Sequence, residues 1–138
     1  MNLERDALGL FMKIFLGMYI AFFIAMISFA PRPWEHDARF GLPVGGLFAA
    51  VGNKYIIDSL LPESSTFTLV DTLHSFTFFA IFCILLVSAI CLRLYYSGKK
   101  EQSLRMNKIG GRAILIVYVL VNLIFCWKHC FKLTHLIT

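Results

Sequence analysis

The chain has 138 residues, 59% of them apolar and 15% charged, with a formal net charge of +5. That length is one domain's worth, and a soluble core of this size would alternate apolar and polar positions, which these long apolar runs do not. No basic stripe is interleaved with aromatics, so the positive balance reads as anchoring to anionic lipid and not as nucleic-acid binding.

Residues 8–30 form the first apolar run, broken by a single charge, Lys13. A helix needs roughly 20 residues to span the hydrocarbon. The run exceeds the ~7–15-residue apolar core of a cleaved leader, and the acidic Glu4 and Asp6 dilute the basic start a leader uses. Pro31-Arg32-Pro33 is a poor cleavage site as well, so a retained membrane helix is expected. The two prolines break it, and Trp34 suits the aqueous interface. A second helix is predicted over 40–61, with Asp37 as its N-cap. It is the least apolar of the set because it carries Asn53, Lys54 and Asp58. Lys54 and Asp58 are four apart and could pair, lowering the cost of either at membrane depth. Leu61-Pro62 ends the helix, since the residue before proline disfavours the helical region. The third helix is expected over 67–94, with Asp71, His74 and Arg93 as its strong polar groups. Ser97-Gly98 closes it, a polar basic connection follows over 99–108, and Gly110-Gly111 precedes a fourth helix over 112–131. The prediction is an all-α four-helix transmembrane bundle, a single domain spanning 1–138.

Basic residues in short loops set orientation. The first loop holds Arg32 and Arg39, and the third holds Lys99, Lys100, Arg105 and Lys108, flanked by Arg93 and Arg112. The loop between the second and third helices holds none. Both termini are therefore expected on the extracellular or periplasmic side of a multi-pass protein. The four cysteines read as structural: Cys83 and Cys91 lie inside the third helix, and Cys126 and Cys130 share a face of the fourth.

At 100° per residue, Gly41, Gly45, Phe48, Gly52, Tyr55 and Ser59 fall on one narrow arc of the second helix. Two readings follow. Small residues let helices approach closely, so Gly41 and Gly45 can be a packing face. Alternatively, several copies of the helix surround an axis, where glycines leave room for water and Phe48 forms an apolar gate that closes by dewetting. Glu35 and Asp37 would then stand at the inner entrance, with Asp58 and Glu63 near the outer one, and rings of carboxylates concentrate cations.

The stretch 38–71 resembles the pore helix and following loop of pentameric ligand-gated ion channels, of the prokaryotic type. Ala38-Arg39 is similar to the pair that often opens the pore helix in anion-selective members. Leu61-Pro62 matches the pair that ends it, and Asp71 matches an aspartate just inside the third helix. Ser65 matches a position commonly polar in the loop. The resemblance implies a homopentamer in a plasma membrane, such as the bacterial inner membrane, passing inorganic ions, with Leu61, Pro62 and Asp71 coupling the loop to the pore. It covers the membrane domain and lacks the family's extracellular ligand-binding β-domain, so no agonist site is implied. Pro43 and the three stripe glycines depart from the family's polar-lined helix. Selectivity stays open: Arg39 points to anions, Glu35 and Asp37 to cations.

Two rival readings come from other classes. His74 and His129 lie at comparable depth on neighbouring helices, as two imidazoles holding a haem would. Cys126, His129 and Cys130 have metal-binding chemistry but no evident fourth ligand; His36 and His135 lie in loop or tail. The other rival is a non-conducting assembly subunit that uses the glycine stripe only for packing. No Gly-x-Ser-x-Gly or phosphate-cradling glycine loop is present, so neither an enzyme nor a bound cofactor is expected.

Overall fold

The computed structural model describes residues 2–32, 35–60 and 69–137, with the side chains of 2–8, 10, 11, 14, 60, 69, 70 and 133 excepted. Trp34, Leu61, Pro62, Glu63 and Ser65 lie outside the described residues. Among the described residues four helices follow in chain order: α1 (Asn2–Ile27), α2 (His36–Leu60), α3 (Leu69–Tyr96) and α4 (Lys100–Ile137). No strand occurs among the described residues.

Among the described residues, α2, α3 and α4 are long and apolar enough to cross a membrane, and α2 is the least apolar of them. The apolar stretch counted in α1 is shorter, Phe15–Ile27. Large apolar side chains are exposed on every helix, including Phe23, Phe48, Phe79 and Ile116. A surface this apolar suits hydrocarbon and not water, and helices are what satisfy the backbone there.

α1 ends in a turn in which the amides of Ser28, Phe29 and Ala30 bond the carbonyls of Ala25, Met26 and Ile27 at 3.1, 3.1 and 2.9 Å. Pro31 follows, and proline disfavours helix in the residue before it. α2 starts earlier than expected, at His36, because the Arg39 amide bonds the Glu35 carbonyl at 3.4 Å. Glu35 therefore stands where Asp37 was expected as cap, and Asp37 lies in the first turn, where negative charge is favoured. α2 runs through the buried Pro43, which has no N–H for the Arg39 carbonyl four residues back.

The largest departure from the sequence expectation is at α4. The polar segment expected as a loop over 99–108 is helical from Lys100 on, and the α3–α4 connection is only the turn Ser97-Gly98-Lys99. Gly98 turns the chain with φ +83°, a conformation open to glycine. Gly110 and Gly111, expected to break the chain, lie inside α4 and mark close packing. A Cβ at 110 would sit 2.7 Å from Val87 Cγ1, and one at 111 would sit 3.3 Å from the Phe29 ring. At 38 residues and about 1.5 Å each, α4 is roughly 57 Å long, well beyond the hydrocarbon thickness.

α2 packs on α1 and α3, α4 packs on α3, and α1 also meets α3. α4 reaches α1 through Tyr118, whose ring stacks on Phe22 with centroids 3.7 Å apart. The core is Ala21, Phe22, Ala25, Ala50, Ile81, Ile84 and Tyr118. α2 and α4 thus occupy opposite corners, with α1 and α3 between them.

Candidate functional site

The face of α2 turned away from this core carries the predicted stripe. Gly41, Gly45, Phe48, Gly52, Tyr55 and Ser59 are all exposed. Phe48 is 73% and Tyr55 78% exposed. Nothing lies within 4 Å of a Cβ built at Gly41, Gly45 or Gly52. The buried residues of α2 are Arg39, Pro43, Gly46, Ala50 and Ile57. At 100° per residue they lie on the side diametrically opposite the stripe.

Close packing inside the chain uses a different glycine set. A Cβ at Gly46 would meet the Ala21 carbonyl oxygen at 2.7 Å and Ala25 Cβ at 3.3 Å. A Cβ at Gly17 would meet the Asn53 side chain at 2.7 Å. Gly17, Ala21 and Ala25 recur every fourth residue along α1, the small-residue spacing that lets membrane helices approach. That signal was present in the sequence beside the more conspicuous glycines of α2.

At the 61–68 end, Lys54 joins two helices. Its Nζ lies 2.9 Å from Asp58 Oδ2 and 3.1 Å from Asp71 Oδ1. The first pair is local to α2; the second ties α2 to the first turn of α3. The side chains of Lys54 and Asp71 are 29% and 26% exposed, which leaves part of each charge to solvent. The expected Lys54–Asp58 pair is formed, and Asp71 joins it as a second partner of Lys54.

Midway along, a hydrogen-bonded layer crosses the bundle. Tyr19 OH donates to Asn122 Oδ1 at 3.1 Å, and Asn122 Nδ2 donates to the Tyr118 carbonyl at 2.8 Å. The hydroxyls of Thr77 and Tyr118 are 2.9 Å apart. Such bonds between membrane helices average about 0.6 kcal/mol, enough to fix register without dominating stability.

The opposite, basic end holds Arg39. Its side chain is fully buried, so it does not join Glu35 and Asp37, which are exposed at the start of α2. Arg39 Nη2 donates to Asn107 Oδ1, and Asn107 Nδ2 donates to the Phe29 carbonyl at 3.1 Å. Ser103 Oγ donates to the Cys91 carbonyl at 2.7 Å. Tyr96 OH lies 2.6 Å from His36 Nε2, pinning the start of α2 to the end of α3. His36 and the segment holding Ser103 and Asn107, expected in loops, lie in helices.

His74 is buried on α3 with its ring 6.3 Å from that of Phe78, whereas His129 is exposed on α4. The two imidazoles do not share one buried environment. Cys126 and Cys130 are exposed and free, and Cys91 is buried. No group of three or more metal-ligating side chains occurs among the described residues.

No protein-family model matches the chain, and no curated protein is significantly similar to it.

Proposed function

We propose that the chain is the pore domain of an ion channel resembling the pentameric ligand-gated type, crossing the bilayer four times in a plasma membrane. Five copies set the exposed face of α2 around a common axis. Gly41, Gly45, Gly52 and Ser59 leave the lumen wide enough for water, Phe48 closes it as an apolar gate, and Tyr55 lines its outer part. One observation carries this reading: the small and aromatic stripe lies opposite the buried side of α2, and none of its glycines has a neighbour. A face turned to lipid gains little from three glycines, whereas a narrow space or a second copy gains a great deal. The corner position of α2, with α1 and α3 behind it and α4 farthest away, is also what a pore helix needs.

Charge at the mouths favours cations in this reading. Arg39 is turned into the bundle, so two exposed carboxylates, Glu35 and Asp37, stand at the start of α2 against one exposed cation, Arg32, and Asp58 is exposed near the other end. Rings of carboxylates at a mouth raise local cation concentration.

A second reading has an observation of its own. Gly41 and Gly45, four apart and exposed, also suit a plain helix-packing surface in a non-conducting assembly subunit. Native mass spectrometry of the detergent-solubilised protein, followed by planar-bilayer recording, separates the two. A pentamer that conducts supports the channel, a conducting monomer or none at all contradicts it, and a silent oligomer favours the assembly subunit.

A further inference from the structure

The basic end of the bundle contains a fully buried positive charge without a negative one to match it. Guanidinium groups stay protonated in proteins, so Arg39 cannot shed its charge by burial. Its polar neighbours are an amide, Asn107, and the thiol of Cys91, which lies within hydrogen-bonding reach. The acidic residues of this end, Glu35, Asp37 and Glu101, are all exposed. A buried ion is tolerated when it is paired and hydrogen-bonded, and Arg39 has only one direct side-chain acceptor among the described bonds.

The unsatisfied donors gather here too. Arg39 Nε and Nη1, Ser28 Oγ and Ser88 Oγ are buried and have no hydrogen-bond partner. They lie towards the basic end of the bundle, on residues next to those that hold Arg39. Ser28 adjoins Phe29, whose carbonyl holds the Asn107 amide that in turn holds Arg39. Ser88 is one helical turn from Cys91, which neighbours the same guanidinium. Buried polar groups are normally satisfied, so unfilled donors on a permanent cation, with two more at the same end, call for an acceptor.

We propose that Arg39, Ser28 and Ser88 hold a small monovalent inorganic anion of the halide class inside the basic end of each subunit. One monovalent anion neutralises one guanidinium, whereas a phosphate or sulfate would leave excess negative charge in the same enclosed space. Full enclosure also argues against a lipid headgroup or an organic acid. Arg93, Arg105 and Lys108 are exposed at the same end and raise the local anion concentration there. The site lies on the side of α2 away from the stripe, so it stands or falls independently of conduction.

The test uses the full chain in detergent, moved from sodium gluconate to sodium chloride or bromide at constant ionic strength. The site predicts a saturable rise in Tm with halide, and bromide anomalous density beside Arg39 in crystals. Arg39→Gln removes the charge and abolishes the halide response. Ser28→Ala with Ser88→Ala keeps the arginine and moves the halide midpoint about tenfold higher, as lost hydrogen bonds to an ion should. Equal Tm in gluconate and halide overturns the proposal. So does an undiminished response in Arg39→Gln or, if that variant does not fold, an unshifted midpoint in the serine double variant.

Discussion

Gly46 of α2 lies against the backbone of Ala21 in α1, so closely that a Cβ at position 46 would stand 2.7 Å from the Ala21 carbonyl oxygen. Its neighbour Gly45 has nothing within 4 Å. Adjacent glycines thus have opposite roles, one holding two helices of the same chain together, the other left open on the outer face.

This contrast predicts opposite signs for the same substitution. Gly46→Ala forces two backbones apart and should destabilise the bundle by about 1–3 kcal/mol, the usual range for overpacking. Gly45→Ala meets no obstacle within the chain and should stabilise α2 by up to about 1 kcal/mol through helix propensity. Thermal unfolding of the dissociated protein in detergent reads both, and equal losses would mean that the α1–α2 contact is not as close as described.

Phe48 is the largest wholly apolar side chain on the stripe and is exposed. If it forms the apolar constriction, Phe48→Ala widens and wets the path, and basal ion leak across proteoliposomes should rise severalfold. Unchanged conductance in a variant that still assembles would remove Phe48 as the gate.

The Lys54–Asp71 contact ties α2 to α3 at 3.1 Å. Both side chains are partly exposed, so a double-mutant cycle with Lys54→Met and Asp71→Asn should give a coupling of only about 0.5 kcal/mol. The Lys54–Asp58 pair, within one helix, should couple no more strongly. A Lys54–Asp71 coupling indistinguishable from zero would show that this ion pair does not help hold the two helices together.

Hydrophobic runs made the four helices legible, and a period of 3.6 puts Gly41, Phe48, Tyr55 and their companions on one arc of α2, where all are exposed. Lys54 with Asp58 was legible from four-residue spacing, whereas the contact with Asp71 depends on how α2 and α3 pack. What spacing could not supply was which glycines meet a neighbour. Gly110-Gly111 resembles a break because glycine disfavours helix, yet Val87 and Phe29 use the missing side chains as room. The start of α4 was obscured by its lysines and arginines, whose exposed positions conceal Ser103 and Asn107 facing inward. Arg39 was read with Glu35 and Asp37 as bearing on selectivity at the entrance, because Ala38-Arg39 is similar to the pair that opens the family's pore helix. Only tertiary packing revealed it as buried, held by Asn107 sixty-eight positions away.

The central claim is that the outer face of α2 lines an ion path. Cysteine-scanning with bilayer recording tests it most directly, replacing positions 45, 48, 52, 55, 50 and 57 one at a time after removal of the four native cysteines. The account predicts that a water-soluble thiol reagent alters current at 45, 48, 52 and 55 and leaves it unchanged at 50 and 57. Modification without regard to face, or a protein that carries no current in any form, would contradict it.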